Sequence, residues 1–397
     1  MTAPWIALPS PLFGDMALRM SLELLAGREL ARLEAEHLLR EPRLISGAQG
    51  PEVSVAGRHA LCLCSNNYLG FADHPALVRA ATDAMERLGF GACASRHISG
   101  SMSLHAEVEH RAAAFVQQER ALFFATGYGA NLGALQTLAT PHTLILSDAL
   151  NHASLIDGCR LGRAQVQVYR HGDAEHCAHL LREHRAGFEL ALIVTESLFS
   201  MDGDVAPLRE LRALADRFQA ALYVDDAHAF GVYGREGRGL CSELGVVPDL
   251  LAATFGKAFG ASGAFVAGRA AVIRWIENRA RSYVFSTAPS PVVPAAVLAA
   301  FDLVEQADDR RTSLAQHARR LRSALSGLGY AVPAGHSHIV PVLLGDASQA
   351  TQLSAALLER GVFVHGIRPP TVPAGTSRLR ISPMATHTTS QIDYALS

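Results

Sequence analysis

Charge of either sign is scarce in this chain: charged residues make up 18% of its 397 positions, and 35 Lys and Arg nearly balance 37 Asp and Glu, for a net charge of −2. No basic field is available to gather a polyanion, which argues against a nucleic-acid partner held through its phosphates. Long apolar runs are missing too. The longest, Pro291–Phe301, falls well short of the roughly 20 residues that a bilayer-spanning helix needs, so no membrane is expected as a partner. Met1–Met20 has no basic residue before Arg19 and carries Asp15, unlike a secretory signal. The six cysteines (Cys62, Cys64, Cys93, Cys159, Cys177 and Cys241) include no C-x-x-C pair, which fits reduced thiols in a cytoplasmic enzyme rather than a disulfide framework. Repeats and low-complexity segments are absent, and the one short charge run, Asp308–Arg311, reads as a solvated helix junction. What is plentiful is Gly (33), Ala and His (18), in a chain long enough, at about 150 residues per domain, for two or three domains around a sizeable core.

Leu22, Leu25, Leu30, Leu33 and Leu38 predict an amphipathic helix over Ser21–Arg40, stopped by Pro42. A short apolar run, Leu61–Cys64, and the turn-rich Ser65–Gly70 precede a helix over Pro75–Leu88. Strand-like runs then alternate with helical stretches: Ala121–Ala125, Thr143–Ser147, Gln165–Tyr169, Leu190–Thr195, Ala221–Asp225, Leu250–Phe255 and Ala264–Ala267. Continuous apolar strands spaced by amphipathic helices predict an α/β fold whose mostly parallel sheet is covered on both faces. After Pro289 and Pro291 the pattern changes to two long helices, Val292–Gln306 and Arg310–Leu328, then strands near Val340–Leu344, Val362–His365 and Ser377–Ile381. The expected organisation is an N-terminal helical segment over 1–60, a large domain over 61–290 and a smaller C-terminal α+β domain over 291–397.

In an open α/β sheet, ligands bind beyond the carboxyl ends of the strands, so the polar residues just after each apolar run are the ones that matter. Thr126-Gly127-Tyr128-Gly129-Ala130-Asn131 opens a helix with small residues, and its N–H groups could meet a phosphate, although glycines there could equally just shape a turn. His152 follows the next strand. Asp225, Asp226 and His228 end a strand at the same edge, where a buried carboxylate needs a cation. Lys257 follows the strand Leu250–Phe255 among small and aromatic residues, the setting that turns a lysine into a nucleophile for carbonyls. Phosphate cradle, imidazole, strand-end aspartate and apolar lysine together describe a pyridoxal-phosphate (PLP) site, with lysine as Schiff base and aspartate paired with the pyridinium nitrogen.

The stretches SNNYLG (65–70), SRHISG (95–100) with His105 and Glu109, TGYGAN (126–131), NHASL (151–155), TESLFSMDGD (195–204), VDDAHAFGVYGREGRG (224–239) and TFGKAFGASGA (254–264) resemble the α-oxoamine synthases. These are fold-type I PLP enzymes that join an amino acid to an acyl thioester with loss of carbon dioxide. The Pro-rich segment 367–380 resembles the branch that condenses L-alanine with a pimeloyl thioester, on coenzyme A (CoA) or a carrier protein, in biotin synthesis. Siblings that use glycine, serine or another acyl-CoA share the other motifs. The resemblance implies a transferase of fold type I, a homodimer with shared active sites, and a set of roles. Lys257 would carry the cofactor and then act as base. Asp225 would keep the ring nitrogen protonated, His152 would stack on the ring and His228 would bond its hydroxyl oxygen. Backbone donors of Gly127 and Tyr128, the hydroxyls of Ser200 and Thr254, and Thr287 of the second subunit would hold the phosphate. Arg380 would take the amino-acid carboxylate, Asn66 and Glu196 would line the substrate side, and Arg368 the acyl entrance.

Two other classes fare worse. A metal hydrolase would draw on His171, Glu175, His176, Cys177, His179 and His184, but these have no recognised ligand spacing, so no metal is expected. A non-catalytic PLP-binding regulator would need a DNA-binding module, and the first 60 residues are too short and insufficiently basic to supply one.

Overall fold

The computed structural model describes residues 21–397, so the reading of Met1–Met20 lies outside the described residues. The chain divides into two units, residues 1–42 and 43–397. In the first, Ser21 caps the helix Leu22–Ala35 by accepting the Leu24 N–H, and Arg32 pairs with Glu29 and Glu36 on its surface. The helix stops at Ala35, short of the expected Arg40: His37 takes a positive φ of 56°, so the chain has left the helix before Pro42 can act.

The second unit is built on a seven-stranded sheet, in the order Arg120–Phe124, Ala264–Gly268, Leu250–Thr254, Ala221–Asp225, Leu190–Glu196, Thr143–Asp148, Gln165–Tyr169. Every pairing from Leu250–Thr254 to Gln165–Tyr169 is parallel, as expected. Ala264–Gly268 instead runs antiparallel to both of its neighbours, because the chain turns straight back after Lys257 to pair Ala264 with Thr254. Thr143–Asp148 is buried along its whole length, the mark of a strand covered on both faces. One face packs on an aromatic cluster of Phe115, Phe230, Phe255, Phe259 and Phe301, with Phe230 stacked on Phe259 at 4.6 Å between centroids. Each such ring removed from water contributes about 1.5–3 kcal/mol, and Phe255 and Phe259 flank Lys257 in the chain, so this cluster seats the lysine turn on the sheet.

Two smaller sheets complete the unit. Val340–Gly345, Ser377–Ile381 and His365–Ile367 form one, with Ser377–Ile381 in the middle. Ile45–Ser46, Glu52–Val55, Arg58–Cys62 and Val362–Phe363 form the other. Ala56 and Gly57, both at positive φ, make the two-residue turn that joins Glu52–Val55 to Arg58–Cys62. The expected single strand Val362–His365 is thus two strands, one in each sheet, and the strand that contains the apolar run Leu61–Cys64 ends at Cys62. The helices after Pro291 run Val292–Glu305 and Asp308–Gly327. No described helix is long and apolar enough to cross a membrane. The division into 1–60, 61–290 and 291–397 stays a proposal: the seven-stranded sheet lies within the second range, while Arg58–Cys62 pairs with Val362–Phe363 of the third.

Candidate active site

The turn after Leu250–Thr254 fixes Lys257. Thr254 Oγ1 donates to the Gly263 carbonyl at 3.0 Å and accepts the Gly256 N–H at 3.1 Å, while Gly260 N–H bonds the Lys257 carbonyl. Gly260 (φ +66°) and Gly263 (φ +90°) both need the left-handed region. A Cβ at Gly260 would stand 2.4 Å from the Phe71 backbone, and one at Gly263 2.6 Å from the Phe123 ring. Burial lowers the Lys257 amine to about 8, against the upward pull of Asp225 and Glu196 and with a further push down from Arg380.

Asp225 closes the strand Ala221–Asp225 with its carboxylate nearly buried. Its Oδ1 accepts the Ala227 N–H at 2.9 Å, and its Oδ2 accepts Asn131 Nδ2 at 2.6 Å. Asn131 stands one turn into the helix Gly127–Leu138, and Tyr223 OH donates to its Oδ1 at 2.8 Å, which orients the amide so that its N–H groups face Asp225 and Ser154. His152 caps the helix Ala153–Leu161, its Nδ1 meeting Ser154 Oγ at 2.8 Å and the Ser154 N–H at 3.2 Å. Its own N–H is accepted by Glu196 Oε1 at 2.7 Å. Burial depresses the His152 imidazole, opposed by Asp225 and aided by Lys257. Burial first, and then Asp225, raise Glu196 to about 8.

Two cavities meet at Lys257, His152 and His228. The first, of about 210 Å³, is lined by Gly127, Tyr128, Asn131, Glu196, Asp225 and Thr254. Thr126 Oγ1 accepts the Gly129 N–H, leaving the first N–H groups of that helix at the cavity wall. The second, of about 330 Å³, is lined by Cys64, Asn66, Ser200, Met201, Ile367 and Arg380. Arg380 is buried, with Nε donating to the Ser200 carbonyl at 2.5 Å, Nη1 to Asn66 Oδ1 at 3.2 Å and Nη2 to Tyr68 OH at 3.1 Å. Tyr68 OH also meets His228 Nδ1 at 2.6 Å, and burial with the surrounding cations keeps His228 well below the ordinary histidine range.

Most of the residues singled out in the sequence therefore converge. Ser200 does not reach the cradle formed by Gly127, Tyr128 and Thr254: it lines the second cavity and holds Arg380 through its backbone, because the chain after Leu190–Glu196 turns toward Ser377–Ile381. Thr287 is exposed, bridged to Ser95 and outside both cavities. Arg368 is buried, with Nη1 3.4 Å from the Gly366 carbonyl, and lines neither cavity, in contrast to the expected entrance position. Asn131, Ser154 and Tyr68 carry no role in the sequence reading, although all three stand inside its motifs, TGYGAN, NHASL and SNNYLG. Of the weighed metal ligands, His171 faces Asp148 and Asp204, and His176 accepts the Arg170 N–H at 2.9 Å.

The donor set of the first cavity fits PLP. A helix N-terminus with Thr254 suits a phosphate, a lysine of lowered basicity suits an aldehyde, and Asp225 suits a protonated ring nitrogen. Asp225, nearly buried, accepts from the Ala227 N–H and Asn131 Nδ2 and lines the first cavity, where a cationic ring nitrogen would meet it. Fold and site together define a fold-type I PLP-dependent transferase. The family model for aminotransferase class I and II matches residues 58–397, and the chain belongs to that family. A curated relative, the 8-amino-7-oxononanoate synthase of Geotalea daltonii, is 46% identical over 94% of this chain and 95% of that one. Among solved structures, the Sphingomonas wittichii serine palmitoyltransferase is 34% identical with a TM-score of 0.88, covering 96% of each chain. The S. paucimobilis serine palmitoyltransferase with bound PLP-myriocin aldimine is 33% identical with a TM-score of 0.88, covering 96% of this chain and 97% of that one.

Proposed function

We propose that the protein is an 8-amino-7-oxononanoate synthase, a PLP-dependent acyltransferase that joins L-alanine to a pimeloyl thioester of CoA or a carrier protein, releasing carbon dioxide and the free thiol. The observation that carries this reading is the 46% identity to the Geotalea daltonii enzyme along nearly the whole of both chains. The Pro-rich segment 367–380 supports it, with Ile367 on the wall of the second cavity.

PLP, when bound, supplies an electron sink for charge developing at the α-carbon of the amino acid. The residues of this chain do the rest. Lys257 lines both cavities, so the amine that would hold the cofactor can also carry the proton of an α-carbon placed between them, and a midpoint of about 8 suits a base working near neutrality. Asp225, fixed by Asn131 and the Ala227 N–H, would keep the ring nitrogen charged. Burial and the neighbouring Asp225 raise Glu196, which weakens its negative charge beside Asp225 relative to an ordinary carboxylate. His152, exposed to the cavity, would cover one ring face, and His228, held by Tyr68, would meet the ring hydroxyl. Arg380 would take the carboxylate of alanine as a planar fork beside Asn66. Holding the α-carbon against the thioester removes the cost of a bimolecular encounter. Part of the proposal is a cytoplasmic homodimer in which Thr287 of one subunit reaches the phosphate site of the other, supported by its exposure and its distance from its own cavity.

The likeness to serine palmitoyltransferases makes a serine-using enzyme the second reading. Absorbance titration of the holoenzyme with alanine, glycine and serine, followed by acyl-CoA chains of graded length, separates the two. Alanine with pimeloyl-CoA is expected to give the highest kcat/KM; a preference for serine and long chains would overturn the first reading.

A further inference from the structure

His171 takes no part in the site described above, yet it is placed between two carboxylates. Its Nδ1 is 2.8 Å from Asp148 Oδ1 and its Nε2 is 2.7 Å from Asp204 Oδ2. Carboxylates only accept, so both ring nitrogens donate and the imidazole is a cation. Burial alone would depress it, but the bonds to Asp148 and Asp204 outweigh that and raise it to about 10.

Each carboxylate belongs to a different functional loop. Asp148 ends the strand Thr143–Asp148, accepts the Leu150 and Gly172 N–H groups at 2.9 Å, and so shapes the turn that delivers His152. Asp204 closes the turn 199–204: its carbonyl accepts the Phe199 N–H at 3.0 Å, and Phe199 sets its ring edge-on to His171 at 4.4 Å. That turn grips the strand Ser377–Ile381. Ser200 O takes Arg380 Nε at 2.5 Å, Met201 O takes Arg378 Nη1 at 3.2 Å, and Asp202 pairs with Arg378. Gly203 O also accepts Ser337 Oγ at 2.6 Å.

We propose that His171 is a positioning residue for the amino-acid substrate: as a cationic clamp between Asp148 and Asp204, it sets the turn 199–204 that aims Arg380. This rests on the reading of Arg380 as the carboxylate fork. Asp204 is the clamp's contact with the turn 199–204, so its variants address the Arg380 side, whereas Asp148 holds the turn before His152.

The test compares Asp204→Asn, Asp204→Glu, His171→Asn and Arg380→Lys holoenzymes at saturating PLP. Asp204 is partly exposed, so its variants keep the fold testable should His171→Asn fail to fold. Asp204→Asn is expected to raise the KM and the spectroscopic Kd for alanine at least fivefold, with the KM for the acyl thioester and the Kd for PLP within twofold; Asp204→Glu recovers most of the loss. A lowered melting temperature with alanine KM and Kd within twofold would show a purely structural clamp and overturn the inference. If Arg380→Lys also leaves alanine binding unchanged, the reading of Arg380 itself falls, and the inference with it.

Discussion

Replacing Arg380 by lysine keeps one positive charge in the second cavity and removes the planar fork. The guanidinium is committed on three sides, to the Ser200 carbonyl, Asn66 and Tyr68, and is buried. A lysine reaching the same place can satisfy one or two of these and offers a substrate carboxylate a single point of contact. Losing one charge-assisted hydrogen bond of a bidentate pair costs about 2 kcal/mol, or roughly thirtyfold in affinity. Arg378 is the control. Both arginines lie on the same face of the strand Ser377–Ile381, but Arg378 is already neutralised by Asp202 and lines neither cavity. Arg380→Lys is therefore expected to weaken alanine binding about thirtyfold, read from the absorbance titration of the holoenzyme, with the cofactor spectrum before alanine unchanged. Arg378→Lys is expected to lower the melting temperature and shift alanine affinity less than threefold. Unchanged alanine affinity in the first variant together with a collapse in the second would refute the assignment.

PLP uptake by the apoprotein needs a neutral Lys257 amine; because that amine is depressed to about 8, the uptake rate should rise with pH and level off above pH 8 instead of climbing toward the usual lysine range near 10.5. A stopped-flow pH series that keeps rising to pH 10 would contradict it. Asp225→Asn should retain PLP by equilibrium dialysis yet slow the exchange of the alanine α-proton into deuterated water at least a hundredfold, since an amide cannot hold the ring nitrogen charged; normal exchange would remove Asp225 from its role. Gly260→Ala forces a left-handed alanine whose Cβ meets the Phe71 backbone at 2.4 Å, and should cost about 3 kcal/mol or more in chemical unfolding.

Much of this site is legible in the sequence because a ligand in an open α/β sheet sits at strand ends, and apolar runs show where strands end. Asp225 and Lys257 each follow such a run, and both line the first cavity. What periodicity leaves undecided is direction and long-range pairing. The strand Ala264–Gly268 reads like its parallel neighbours yet runs against them, and Val362–Phe363 pairs with residues some three hundred positions earlier, which no local pattern records. Periodicity alone does not choose between Arg378 and Arg380, since a spacing of two places both on one face; the resemblance points to Arg380, and the pairing of Arg378 with Asp202 and the place of Arg380 on the second cavity support that reading. Asn131 looks like one more small polar residue of a helix start; its work depends on Tyr223 and Asp225, more than ninety positions away. The early end of the helix Leu22–Ala35 shows the limit of reading a proline as the stop.

The condensation itself is the central claim, and carbon-labelled alanine tests it most directly. The purified holoenzyme, given L-alanine labelled at the carboxyl carbon and pimeloyl-CoA, is expected to release labelled carbon dioxide, free CoA and unlabelled 8-amino-7-oxononanoate in equal amounts, with no label in the product by mass spectrometry. Thiol release without labelled carbon dioxide, or turnover with serine and none with alanine, would contradict it.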